Sequence, residues 1–578
     1  MGCSLIFTRN TQDERINFKP IFFGKIDILQ TKDRFAKSYI ELLKKYSQTS
    51  DQKVIHYKNC ENLFEEILKD LGNNLNQINS VNFSPRSWDI ILGKWLRIFI
   101  MTAYENYIII KKIFEDNDIS QVITIDPDKH HLYTLDTNSL RWAVLEEEWN
   151  HVLCSKIINF FKFKTKIELQ KINLNHLENQ KIFEENLSKK KIIVKFFLKI
   201  LNFKNNNNSP FIYKSYLPFL QEKTLEIKLG TFPKFWSTGK LKFDSFDKEL
   251  RNKIDIRKKN FSGNFEDFLR DVIPNSLPVF VLESFKKINN LSNNIGYPEN
   301  PKFIFTSEAY AFDEVFKFYL AKKTQQGIPY YVGQHGNNYF TNLQSNHVSE
   351  IKTCDKYFSW GSIKSDKIYP SFNFNVWGKS SKVKKNGKLL FVFRYVFNDT
   401  HLFDGQLQDY NSIYSSLEIL KNLNSIVKKD TIIKLNLNSH HLKKLILKEN
   451  LGISTIIEGD KKKIFNSLLN RSRLTFFNYD STGILENLAL NNPTLCYWDN
   501  TFNHINPEYK GVYMNLVEAK ILFLDKKKLT NHINENWQNL DEWWNSKKTQ
   551  KYLNNFNSKL NIKPTKNSIN NFINNLKQ

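Results

Sequence analysis

Short apolar runs closed by turn residues alternate along this chain with stretches whose apolar positions recur at helical spacing. Leu5-Ile6-Phe7-Thr8 and Val122-Ile123-Thr124-Ile125 read as buried strands. Between them, residues 88–114 carry the helical period, and Ser84-Pro85 supplies a helix entry. From residue 301 the pattern repeats: strand Phe303-Ile304-Phe305-Thr306, a helix over 309–323, the turn Gly327-Ile328-Pro329, then strand Tyr330-Tyr331-Val332-Gly333. Strand, helix and strand in that order predict a parallel βαβ unit. A third block, over 388–393, 431–435, 453–457 and 474–477, alternates in the same way and predicts a further doubly wound sheet.

The expected fold class is therefore α/β, with two doubly wound Rossmann-like lobes. The lysine-rich stretch 379–388 reads as the linker between them. The expected division is an N-terminal lobe over 1–378, a second lobe over 379–545 and a helical tail over 546–578. A change of texture marks a helical, basic insertion in the first lobe at about 165–300, within which Lys191, Lys195 and Lys199 share one helix face. Such a helix can lie on an anionic bilayer, although a core helix with a solvated lysine stripe is the more common case. Trp543 and Trp544 are expected to pack a C-terminal helix against the opposite lobe.

Composition changes this picture little. At 578 residues the chain is too long for one core, and its 41% hydrophobic and 14% aromatic content supplies apolar surface for several. The net charge of +25 would attract phosphates, anionic lipid or acidic glycans. Lys, Asn, Ile and Phe are abundant together while Ala, Gly and Pro are scarce, as an A/T-biased coding sequence dictates, so the charge names no partner. The basic residues are dispersed and carry no zinc-finger or RNA-recognition signature, so no nucleic acid is expected. Cys3, Cys60, Cys154, Cys354 and Cys496 include no C-x-x-C pair, which points to a reducing compartment. No window gives ~20 uninterrupted apolar residues; residues 90–110 come nearest, broken by Lys94, Arg97 and Glu105. The expected location is cytoplasmic, with any membrane contact made from the inner face.

Chemistry concentrates at two strand ends. After Leu474-Thr475-Phe476-Phe477 come Asp480, Ser481, Thr482 and Gly483, and a helix begins at once. Free N–H groups at a helix start, beside two hydroxyls, make a cradle for a nucleotide phosphate. Glu486, one turn further in, could accept from a ribose or sugar hydroxyl. Ser and Thr also cap helices routinely, and alone the motif would read as a cap.

It does not stand alone. The run 478–486 with Asn492-Pro493-Thr494 resembles the donor-site segment of a family of proteins assigned as transferases and encoded in bacterial lipopolysaccharide and surface-polysaccharide loci. The same family carries Gln-His-Gly-x-Asn-Tyr, a Glu, and Asp-x-Tyr-x-x-Trp-Gly. Here these are Gln334 to Tyr339, Glu350, and Asp355 to Gly361. Pro85-Arg86-Ser87-Trp88, Glu148-Trp149-Asn150 and Trp543-Trp544 extend the likeness. Three departures stand out: Asn337 replaces a second Gly, Phe340 replaces the Gly after the Tyr, and the segment 435–438 lacks an expected Arg and Pro.

The resemblance implies a glycosyltransferase-B-like pair of lobes. The C-terminal lobe would hold a nucleotide sugar, and the N-terminal lobe the carbohydrate or lipid-linked acceptor and the base. It implies no metal and no cofactor beyond the donor substrate; Asp126-Pro127-Asp128 is the runner-up metal or base site. His335 is the favoured acid–base or phosphate-contacting residue, because an imidazole takes a proton near neutral pH. A structural histidine tying two loops is the alternative. Gln334 and Asn338 offer amides to sugar hydroxyls, Gly336 lets the backbone approach the donor, and Glu308 and Glu350 are alternative bases or plain surface carboxylates. Competing functions are a polyol-phosphate transferase with a CDP-linked donor, and a non-catalytic anion- or nucleic-acid-binding protein.

Overall fold

The structure, a computed structural model, describes residues 2–9, 11, 15–24, 34–163, 165–170, 208–236, 241–342, 348–381, 383–393, 405–437, 439–459, 462–499 and 502–578. Its strands form three sheets, and every pairing within them is parallel. The first sheet comprises β1 (Cys3–Ile6), β2 (Lys19–Phe22), β3 (Ile119–Thr124) and β4 (Lys166–Leu169), in the order β2-β1-β3-β4. The second runs β5 (Phe211–Ile212), β6 (Ile304–Thr306), β7 (Tyr330–Gly333), β8 (Lys356–Ser359) and β9 (Ile368–Pro370) in sequence order.

The third sheet contains β10 (Lys388–Val392), β11 (Thr431–Leu435), β12 (Thr455–Glu458), β13 (Ser472–Phe477), β14 (Thr494–Tyr497) and β15 (Leu522–Phe523). Its order, β12-β11-β10-β13-β14-β15, reverses direction at β10. Central strands such as Lys388–Val392 and Thr431–Leu435 are almost wholly buried, as parallel strands covered on both faces must be. The carboxyl ends of β10 and β13, the point of reversal, are where such sheets bind ligands.

Two hydrophobic cores result. One joins the first sheet, its helices and one face of the second sheet, including Ile304, Tyr330 and Val332. The other joins the third sheet to the opposite face of the second, through Phe305, Tyr331 and Phe358. The lobe expected over 1–378 thus carries two sheets. Residues 211–300 are no detached insertion. Phe211–Ile212 is the edge strand of the second sheet, and the helices Phe265–Ser276 and Phe285–Asn294 bury Phe268, Leu269 and Ile288 in the first core. The Lys191, Lys195 and Lys199 stretch lies outside the described residues.

The helix Pro85–Asp116 shows why residues 90–110 look almost like a membrane span. Ser84 caps it by accepting from Ser87 N, and it runs through the first core with Trp88, Trp95 and Phe99 buried. Arg97 interrupts the apolar run to pair with Glu61 at 2.9 Å and Asp89 at 2.8 Å. Among the described residues no helix is long and apolar enough to cross a membrane.

The chain's last two helices, Lys547–Leu560 and Lys566–Lys577, return to the second sheet. Asn373 N donates to Ile562 O at 2.8 Å and Ile562 N to Trp360 O at 2.7 Å. Phe572 then sits against Phe305, Phe358, Phe372 and Phe374. A Cβ at position 361 would stand 1.9 Å from Lys559 O, so the Gly after Trp360 is what lets the returning chain pass. Trp543 and Trp544 do not reach the opposite lobe. Their indoles donate to Ala519 O and Asn491 O, within the lobe of the third sheet. Phe572 makes the contact expected of them.

Candidate functional site

Strand β7 ends at Gly333, which has no room for a side chain: a Cβ there would meet Phe374 at 2.4 Å and Ser307 Oγ at 2.8 Å. The loop that follows is braced by Gln334. Its amide donates to Gly336 O at 2.9 Å and accepts from Trp360 N at 2.8 Å. Gln334, expected to meet sugar hydroxyls, is therefore a buried loop brace. Asn338 and Phe340 both take positive φ, +75° and +65°. The amide oxygen of Asn338 is buried and unbonded among the described residues.

His335 sits half-buried on this loop and is tied to a buried carboxylate through a tyrosine. The Tyr339 hydroxyl lies 2.6 Å from His335 Nδ1 and 2.8 Å from Glu350 Oε2. Glu350, expected as an alternative base or a surface carboxylate, is 0% exposed and meets the loop through the Tyr339 hydroxyl. Its helix, Val348–Thr353, is anchored by Ser349 donating to Asp89 at 3.0 Å. Tyr310, Tyr330 and Tyr357 are fully buried around Glu350. Burial first, and nearby negative groups including this carboxylate next, hold their hydroxyls well above the usual phenol range.

Tyr216 faces His335, with ring centroids 5.9 Å apart. Its hydroxyl is pushed up by burial first, then by Glu486 and Glu308. Both carboxylates are therefore near it, and Glu308 is the exposed one. Glu308 and His335 thus belong to one neighbourhood.

The second corner belongs to the third sheet. Ser481 caps the helix Thr482–Ala489, accepting from Gly483 N at 3.0 Å. Glu486 accepts from Asn375 Nδ2 and lies 3.8 Å from Lys379 Nζ. The two corners touch. Asn337 N donates to Thr482 Oγ1 at 3.1 Å, and the Asn337 amide bonds Asp480. A Cβ at Gly336 would lie 3.2 Å from Thr482 Oγ1, tight enough to favour the bare backbone there. His504 Nε2 lies 3.5 Å from Asp480 Oδ2.

The chain belongs to the LIC12162 family of transferases. The match covers residues 3–574, so this LIC12162 family member is a transferase across both lobes and the returning C-terminal helices. No curated protein matches it. Among solved structures it is similar to a UDP-GlcNAc 2-epimerase from Neisseria meningitidis bound to UDP-GlcNAc, at 16% identity and TM-score 0.32 over 51% of this chain and 81% of that one. It is also similar to MurG of Acinetobacter baumannii, at 8% and 0.29 over 51% and 76%. A third is the spinosyn rhamnosyltransferase SpnG complexed with spinosyn aglycone, at 11% and 0.26 over 51% and 80%. Likeness of that size carries no functional weight.

The structure brings His335, Gly336, Asn338, Thr482, Gly483 and Glu486 together, with Glu350 behind and Glu308 beside them. It also adds residues that sequence reasoning gave no role: Tyr339, Asn337, Asp480, Tyr216 and Asn375. Tyr339 and Asn337 stood inside the quoted motif, so a signal was present. Tyr216, at φ +62° in a segment without periodicity, offered none. The runner-up pair Asp126 and Asp128 forms a turn, with Asp126 accepting from Asp128 N at 3.2 Å and pairing with Lys129 at 3.1 Å.

Proposed function

We propose that this transferase is a glycosyltransferase that moves a sugar from a nucleotide-activated donor to a surface-polysaccharide or lipopolysaccharide acceptor, without a metal. The contact between the two corners, His335 on one and the Thr482 helix start on the other, carries the reading. In this reading the C-terminal lobe holds the nucleotide sugar. The first turn of the helix Thr482–Ala489, with Ser481 and Gly483, takes the leaving phosphate, whose charge the helix dipole offsets. The N-terminal lobe holds the acceptor beside His335, with Asn338 offering its buried amide oxygen to a hydroxyl.

The hydrogen bonds support a definite tautomer. Ionised, Glu350 only accepts, so the single proton of the Tyr339 hydroxyl goes to it. That hydroxyl then accepts from Nδ1–H of His335, which leaves the lone pair on Nε2. Nε2 takes the proton of the attacking acceptor hydroxyl, and the imidazolium that forms is stabilised by Glu350 through Tyr339. Glu308, exposed beside Tyr216, is the alternative base.

A surface near this site supports an acceptor carried at the inner face of a membrane. On the helix Phe219–Lys228 and the turn after it, Phe219, Leu220, Ile227 and Phe232 are 60%, 72%, 62% and 67% exposed, with Lys228 exposed among them. Large apolar side chains presented beside lysine suit the edge of an anionic bilayer.

The test is a thermal-shift screen of the full chain against CMP, CDP, UDP and GDP, followed by transfer assays with sugars linked to the nucleotide that binds. One nucleotide should raise the melting temperature by mass action, and His335→Ala should keep that shift while losing transfer. Full transfer by His335→Ala would overturn the assignment of the base.

A further inference from the structure

The third sheet has a second concave site, at the edge opposite the corner just described. The carboxyl end of β13 leads to Asp480 and the helix start, whereas the amino ends of β13 and β14 open onto a cavity of about 210 Å³. It is walled by the segment Gly378–Ser380 between the lobes, by the helix Lys462–Leu469 and by the last turn of the helix Thr482–Ala489. The cavity is below the ~300–1,000 Å³ of pockets for drug-sized ligands and suits one small polar molecule.

Its chemistry is two-sided. Leu469, Leu490 and Pro493 give it an apolar wall. Two cations, Lys379 and Arg473, stand on its rim. Arg473 pairs with no carboxylate among the described residues; its guanidinium lies 4.9 Å over the ring of Trp537. Asn470 and Asn492 line the cavity, and the amide oxygen of each is buried and unbonded among the described residues. Asn492 is only 5% exposed, and its amide nitrogen is already committed to Asn487 Oδ1 at 3.0 Å. A buried acceptor is rarely left unbonded, so its position calls for a donor from outside the chain.

We propose that this cavity binds a phosphorylated monosaccharide. The unbonded amide oxygens accept from sugar hydroxyls, the apolar wall meets the C–H face of the ring, and Arg473 with Lys379 takes the phosphate. Lys379 also lies 3.8 Å from Glu486 of the site between the lobes; the cavity is otherwise distinct from that site and does not depend on the function proposed for it.

The full chain is titrated with glucose 1-phosphate by calorimetry and by tryptophan fluorescence, since Trp537 lies under Arg473. One saturable site is expected. Loss of the charge-assisted bond in Arg473→Ala should weaken binding about tenfold. Asn492→Asp, which sets a like charge against the anion, should weaken it at least as much. A melting curve for each variant establishes that it folds. The double variant Ser481→Ala/Thr482→Ala should bind as the wild type does. No saturation by about 10 mM, which is weaker than ~3 kcal/mol, would overturn the proposal. So would equal binding of neutral glucose or of inorganic phosphate, or binding lost in the Ser481/Thr482 double variant and kept in Arg473→Ala.

Discussion

Asn337 and Thr482, 145 positions apart in sequence, meet backbone amide to hydroxyl at 3.1 Å and join the two corners of the candidate site. The Asn337 side chain adds a second link to Asp480. Asn337 is one of the three positions at which the chain departs from the motif that it resembles. Its side chain acts as a latch between the corners.

Replacing Asn337 by Gly should therefore loosen the closed arrangement while leaving each lobe intact. Small-angle scattering should show a larger radius of gyration for Asn337→Gly than for the wild type. Limited proteolysis should cut faster in residues 379–388. An unchanged scattering profile would mean that the latch carries no share of closure.

The His335–Tyr339–Glu350 chain gives a kinetic prediction. Tyr339→Phe should lower kcat about 10²-fold, the low end of what a general base contributes. Glu350→Gln should act to a similar extent, and the double variant should lose little more than either single one, because all three residues serve one proton. The acid limb of the kcat profile should move to lower pH in Tyr339→Phe, since its imidazolium lacks the hydroxyl that supports it. Additive losses, or an unmoved profile, would reduce Tyr339 to packing.

Phe340 pays for its positive φ. Both Phe340→Gly and Phe340→Ala remove the ring that stands edge-on to Tyr357 at 5.6 Å, so comparing them isolates the backbone. The Gly variant should be more stable than the Ala variant by about 1 kcal/mol, in urea or thermal unfolding. The reverse order would show that the left-handed conformation is not retained.

His151 supplies a pH dependence. Burial pushes its imidazole down to about 3, and both ring nitrogens are unbonded among the described residues. The folded state keeps it neutral, while the unfolded chain binds a proton near 6.5. Its contribution is thus whole above that pH and is lost as pH falls towards 3. Between pH 7 and 5 the loss is about 2 kcal/mol. His151→Phe, which keeps a ring beside Phe7, should show a correspondingly shallower acid-side fall in stability. Parallel curves for the two proteins would contradict this.

The exposed apolar side chains of the helix Phe219–Lys228 predict binding to vesicles. In sedimentation assays the protein should bind vesicles rich in anionic lipid more than neutral ones. Changing Phe219, Leu220, Ile227 and Phe232 together to Ser should reduce that binding several-fold, at about 0.8 kcal/mol for each buried CH₂ removed. Equal binding by the quadruple variant would exclude this face.

Much of the fold was legible wherever a strand was buried on both faces. Phe303–Thr306, Tyr330–Gly333, Thr431–Leu435 and Leu474–Phe477 are continuous apolar runs and appear as strands within a residue or two. What escaped was structure specified by partners far away in sequence. Phe211–Ile212 is two residues long and becomes a strand only by pairing with Ile304 and Phe305. The helix expected over 309–323 breaks at Asp313, whose carboxylate accepts from Phe316 N to start a new helix and also from Tyr213 and Lys214. Within the site, His335 and Glu350 could be named from the motif. Which of them is open to solvent depends on burial, and that is a property of the packed helix Val348–Thr353 rather than of its six residues.

The polypeptide passes between the lobes twice, at residues 373–379 and again at 560–562, and the two passages are hydrogen-bonded side by side through Asn373. Any opening of the protein must turn about that shared point, like a pair of tongs riveted once. A truncation that removes the last helix would strip Phe572 from the second sheet and so damage the half of the molecule that is made first.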